Sequence, residues 1–179
     1  VTNGVYEAGG RVSGIAGELL TNRVVIDKAV TVQSVNGAEA TIIKGTGPSG
    51  DAAVRCVWMT DGATLVGFTL TNGATRSSGV ADRDGGGLHA QSDAVTINNC
   101  ILIGNRAHSE GGGSYKGKLN NCTISGNSAP IGGGANYSMM NNCTLSDNVA
   151  GDGGGARGGT LNNCTVSGNN ATRGGGARA

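Results

Sequence analysis

Asn120-Asn121-Cys122-Thr123-Ile124-Ser125-Gly126-Asn127 is a phrase this chain states four times. It occurs before as Asn98-Asn99-Cys100-Ile101-Leu102-Ile103-Gly104-Asn105, and after as Asn141-Asn142-Cys143-Thr144-Leu145-Ser146-Asp147-Asn148 and Asn162-Asn163-Cys164-Thr165-Val166-Ser167-Gly168-Asn169. The cysteines step by 22, 21 and 21 residues. Glycine triplets at 111–113, 132–134, 153–155 and 174–176 keep the same beat. A fixed period near 20 residues marks a solenoid, in which each coil buries its apolar side only against its neighbours.

Side chains alternate in and out of a strand with period two. Cys122 and Ile124 therefore point inward, Thr123 and Ser125 outward, and the later copies keep this parity. Thr64 to Gly73 fits the same frame, with Phe68 in the cysteine slot and Leu70 in the aliphatic one; Val30-Thr31-Val32-Gln33 is placed there too. The anchors at 30, 68, 100, 122, 143 and 164 give roughly six coils, about 21–22 residues each in the C-terminal half. Such a circuit is too tight for a helix-bearing horseshoe, and several leucines per repeat are missing. The pattern predicts an all-β parallel β-helix with coils ~4.8 Å apart.

Two files of asparagine support it. Asn99, Asn121, Asn142 and Asn163 are expected to stack, as are Asn105, Asn127, Asn148 and Asn169, because Asn ladders satisfy backbone groups at corners. Asn also tolerates the left-handed backbone a corner needs. Ala107, Ala129, Ala150 and Ala171 form a small inward column beside a bend. The expected organisation is one β-helix domain over 1–179, with irregular N-terminal coils over 1–60 and regular coils over 61–179.

Composition narrows the function. Among 179 residues, 35 glycines without an every-third-residue rhythm and only two prolines exclude collagen. A net charge of +1 gives no electrostatic case for nucleic acid. No apolar run approaches the ~18 residues of a membrane span. The start carries no secretory leader and the chain stops three residues past a glycine triplet, so the reading expects a piece of a longer secreted or surface-displayed precursor.

These residues resemble the right-handed parallel β-helix superfamily, the pectate-lyase-like fold. More narrowly, they are similar to Gly/Asn-rich repeats of bacterial surface proteins of the polymorphic outer-membrane-protein type. The matching motifs are Gly132-Gly133-Gly134-Ala135 and its equivalents, together with Ile124-Ser125-Gly126-Asn127, Leu145-Ser146-Asp147-Asn148 and Val166-Ser167-Gly168-Asn169. The resemblance covers 54–179 well and 1–53 loosely, and it implies a right-handed, extracellular rod, often the passenger of an adhesin.

Chemistry-bearing residues are sparse. Thiols in single file at Cys100, Cys122, Cys143 and Cys164 cannot surround one metal tetrahedrally, and in-register parallel side chains do not aim at each other as a disulfide requires. With Phe68 in the same slot, they read as a buried structural column. Glu110 and Asp152 precede glycine triplets, Asp82, Asp84 and Asp93 fall in a loop, and no acidic pair is expected on neighbouring coils. Gly151-Asp152-Gly153-Gly154-Gly155 has the look of a calcium-binding nonapeptide, but its Asp does not recur. His89 and His108 lack Ser or Asp partners for a triad. The variable column His89, Tyr115, Asn136, Arg157, Arg178, with Lys116 and Tyr137 beside it, is the candidate ligand surface: such groups stack on sugars or pair with anions. The expectation is a non-catalytic structural or adhesive β-helix without cofactor or metal, whose partners are glycans, other surface proteins or a second copy stacked end to end. The alternatives are a polysaccharide-binding or lyase/hydrolase fragment and, behind these, ice binding through the Thr-x-Ser rows.

Overall fold

A computed structural model describes residues 1–13, 15–79 and 81–179, and shows the chain as a parallel β-helix. Among the described residues there is no α-helix, only a short 3-10 turn at Ala81–Arg83. Seven strands stack in a first sheet: Gly4–Tyr6, Thr41–Lys44, Thr69–Thr71, Ile101–Ile103, Thr123–Ser125, Thr144–Ser146 and Thr165–Ser167. A second sheet has two leaves. One leaf begins with Thr21–Ile26, Val54–Met59, Leu88–Ala90 and Ser114–Tyr115; the other begins with Thr31–Gln33, Thr64–Val66, Thr96–Asn98 and Lys118–Asn120. Ala135–Asn141 and Ala156–Asn162 run through both leaves and join them. Ser128–Ile131, Val149–Asp152 and Asn170–Arg173 form a short third sheet.

Register files like over like. Leu70, Leu102, Ile124 and Leu145 make one inner column, and Leu65, Ile97, Leu119 and Met140 another, all fully buried. Each such side chain contributes ~1.5–3 kcal/mol of burial. Phe68, Cys100, Cys122 and Cys143 are buried in the same core cluster, with Cys164 partly buried against it, and all five cysteines of the chain are free. Toward the N-terminal end the core opens into an apolar cavity of about 230 Å³ lined by Val1, Tyr6, Val24, Val32, Ile43 and Phe68.

One placement differs from the sequence reading. Thr31–Gln33 pairs with Thr64–Val66 in the second sheet, so Val30 does not share the Phe68 slot. Ile42 pairs with Thr69, which puts the buried Thr41 there instead. The reason is a corner inside what reads as one strand: Gly67, at φ +74°, separates Thr64–Val66 from Thr69–Thr71.

Later coils place asparagine at that corner. Asn99, Asn121, Asn142 and Asn163 have φ of 53°, 53°, 54° and 51° and are exposed. The side-chain chain of hydrogen bonds runs through the residue before each: Asn120 donates to Asn98 at 2.8 Å, Asn141 to Asn120 at 3.0 Å, and Asn162 to Asn141 at 3.0 Å. The second file is buried at Asn105, Asn127 and Asn148 and half-buried at Asn169. Asn127 Oδ1 accepts the backbone N–H of Asn105 at 2.9 Å and its side-chain amide at 3.0 Å, while Asn127 Nδ2 donates to Leu102 O at 2.9 Å. Asn148 repeats this toward Asn127 and Ile124, and Asn169 toward Asn148 and Leu145. From Asn105 onward each coil thus satisfies the turn of the coil before it.

Candidate functional site

In the last three coils the chain turns from the short sheet through its glycines into the first leaf of the second sheet. The turn dictates glycine at Gly132, which sits at φ +61°, and at Gly133, where a Cβ would lie 2.5 Å from Val149 O. Gly85-Gly86-Gly87 makes the same turn one coil earlier: the N–H of Gly86 bonds Gly111 O at 3.2 Å and that of Gly87 bonds Gly112 O at 3.1 Å. This assigns Asp84 a position that the sequence reading left in a loop. It precedes a triplet, on the coil next to Glu110, and its Oδ1 accepts the Glu110 N–H at 3.1 Å. An acidic pair on neighbouring coils therefore exists, because the spacing of 26 residues between these triplets hides Asp84 from the 21-residue beat.

The outer face of the leaf carries the candidate ligand residues in one register file: Trp58 beside His89, His89 beside Tyr115, Tyr115 beside Asn136, Asn136 beside Arg157, and Arg157 beside Arg178. The rings of His89 and Tyr115 are 5.1 Å apart, and Tyr137 meets Tyr115 edge-on at 6.4 Å. Lys116 Nζ lies 5.2 Å from the Tyr115 ring centre. Arg157 covers the Tyr137 ring at 5.7 Å and donates to its hydroxyl at 2.9 Å. The pre-triplet side chains fold over the same face: Asn136 Nδ2 donates to Glu110 Oε2 at 2.7 Å, and Arg178 Nη1 to Asp152 Oδ2 at 2.7 Å. His108 lies apart from the strip; its backbone N–H bonds Thr75 Oγ1 at 2.8 Å.

Two features give the strip its character. Tyr137 is 44% exposed although its backbone is left-handed, at φ +50°. Its ring lies over Gly158, where a Cβ would stand 2.9 Å from Cδ1. Along the file Trp58 Nε1, His89 Nδ1, Asn136 Oδ1 and Arg157 Nε, and next to it Asp152 Oδ1, are buried without a hydrogen-bond partner. Buried polar groups in folded proteins are almost always paired, so a file of unpaired ones is unusual.

Comparison with family models, with curated proteins and with solved structures finds no match to the chain. The physical chemistry of the strip is thus the guide. Burial, with Glu110 alongside, pushes the Asp84 carboxyl up to about 6. Burial and the Arg55 charge hold His89 well below its usual range, as a neutral imidazole. Burial and the two carboxylates push the Tyr115 phenol up to about 12. Arg55, which the sequence did not mark, is fully buried beneath this end and donates to Asp84 O at 2.8 Å, Gly85 O at 2.9 Å and Asn22 Oδ1 at 2.8 Å. It holds the first triplet in place, a role that its neighbours Val54 and Cys56 give no sign of.

No group of three or more His, Cys, Asp or Glu among the described residues is placed to hold a metal ion. On the first sheet Thr123, Thr144 and Thr165 are exposed with Ser125 and Ser146 half-buried, and Ile101 and Ile103 break the rows.

Proposed function

We propose that this chain is a non-catalytic adhesive rod that binds polysaccharide along the Trp58–Arg178 strip. One observation carries the reading: the half-buried rings of His89 and Tyr115 and the exposed ring of Tyr137 stand with Lys116 and Arg157 on one outer strip. Sugars need that combination, since rings pack on their C–H faces while ammonium and guanidinium groups bond their hydroxyls. The mixture of Asp84, Glu110 and Asp152 with Lys116, Arg157 and Arg178 favours a neutral polymer over a strongly anionic one. The rest of the molecule serves as a stiff support, its hydrogen bonds running along the axis. The right-handed, Gly/Asn-rich surface-repeat type that the motifs resemble belongs to this reading, as does a secreted or cell-surface location. Stacking of copies end to end is part of it too, with concentration-dependent light scattering as its check.

Affinity electrophoresis against neutral and uronic-acid polysaccharides tests the reading. Retardation by a neutral polymer, lost in Tyr115→Ala, is the expected result. Retardation unchanged in Tyr115→Ala and Tyr137→Ala together, or absent for every polymer, removes it.

A second reading draws on Asp84 and Glu110. A carboxyl poised near 6 beside a second carboxyl is the equipment of glycoside or uronide cleavage. Product release from polysaccharides, with or without calcium, that disappears in Asp84→Asn or Glu110→Gln would replace the non-catalytic reading by this one.

A further inference from the structure

The sulfur file inside the solenoid takes no part in the outer strip. Cys100, Cys122 and Cys143 are 1–2% exposed. Thr123 pairs with Thr144, so the preceding Cys122 and Cys143 stand one coil apart, ~4.8 Å along the axis. Both lie in the same buried core cluster. Two metal–thiolate bonds of ~2.3 Å laid end to end span nearly the same distance. Single file offers two donors per gap, too few for a tetrahedral ion but the full complement of a linear one.

The surroundings select the kind of ion. Leu102, Ile124, Leu119 and Leu145 belong to the same buried core cluster and supply no carboxylate or imidazole, which excludes hard cations. The backbone can tolerate loss of the thiol protons. Cys122 donates its S–H to Asn120 O at 3.3 Å and Cys143 to Asn141 O at 3.4 Å, but those carbonyls also accept the N–H of Asn99 and Asn121, each at 3.0 Å. Sulfur also receives a donor in this file: Phe68 N–H bonds Cys100 Sγ at 3.4 Å.

Cys100 Sγ already accepts the Phe68 N–H and Cys164 is only partly buried, so we infer that Cys122 and Cys143 form a linear two-coordinate site for a soft monovalent cation of the Cu(I) type. One ion replaces two S–H protons, both released to solvent, and no electron is transferred. The site is independent of the polysaccharide reading.

The test titrates the reduced full chain with Cu(I) without oxygen, against bicinchoninate as competitor. Expected are one retained copper, two protons released per copper, and an X-ray absorption shell of two sulfurs. Cys122→Val/Cys143→Val weakens retention by more than the roughly 10–100-fold typical of losing an outer partner, and Cys56→Val leaves it unchanged. Phe68 already occupies the column, so apolar substitutes suit it, and circular dichroism verifies the fold. Copper equally held by the double variant, copper lost in Cys56→Val, or a shell containing nitrogen, oxygen or a third sulfur in the wild-type chain each overturns the site. Failure of the wild-type chain to outcompete bicinchoninate does so as well.

Discussion

Tyr137 shows what the strip costs. A bulky residue in left-handed backbone stores ~1–3 kcal/mol of strain, and the equivalent place on the next coil is Gly158, at φ +63°. Tyr137→Gly is therefore expected to keep or raise stability by up to ~1 kcal/mol in thermal unfolding while weakening polysaccharide retardation. A purely structural tyrosine would show the reverse. The thiols give a second expectation. Burial pushes Cys56 up to about 12 and Cys100 up to about 11, and both are closed to solvent, whereas Cys164 is partly exposed. Iodoacetamide should label Cys164 first and reach Cys56 and Cys100 only on unfolding, as read by peptide mass mapping. At this scale the sequence showed the inward parity of Cys122 and Ile124 and the outward file from His89 to Arg178. It could not show Arg55, because a lone arginine between Val54 and Cys56 looks the same whether solvated or held by carbonyls distant in sequence.

The buried asparagine file is the element that fastens coil to coil. Removing the Asn127 side chain leaves the Asn105 N–H and the Leu102 carbonyl without the partners it provides. Each orphaned buried group costs ~1–3 kcal/mol, so Asn127→Ala should lower stability by roughly 3 kcal/mol in urea denaturation. Asn121→Ala, at an exposed corner, should cost about 1 kcal/mol or less, through backbone strain alone. Two adjacent asparagines thus differ in role, the first joining a surface side-chain file and the second only turning the backbone. Their shared period announces both, but not which of them bonds. Residues 1–60 hid more. Their coils are longer, so Thr31–Gln33 falls one face away from its expected place, and Gly67 ends a strand that alternation alone would continue.

For the molecule as a whole, Asp84 sets a pH dependence. Its folded carboxyl titrates at about 6 against an ordinary value of 3.8, so the folded state holds the proton more tightly. The sign follows from linkage: stability is greatest below 3.8 with respect to this group and declines as pH rises toward about 6. Partial exposure screens the effect, so a modest decline is expected in thermal unfolding, and Asp84→Asn should flatten it. The regular coils carry a further consequence. Interiors from Cys122 to Asn148 and from Cys143 to Asn169 present the same faces to whatever lies above and below. Cutting out one such module and rejoining the chain would bring thiol against thiol and amide against amide once more. Slippage between tandem gene copies can therefore lengthen or shorten the shaft in whole steps, leaving the seams intact while the solvent-facing letters drift.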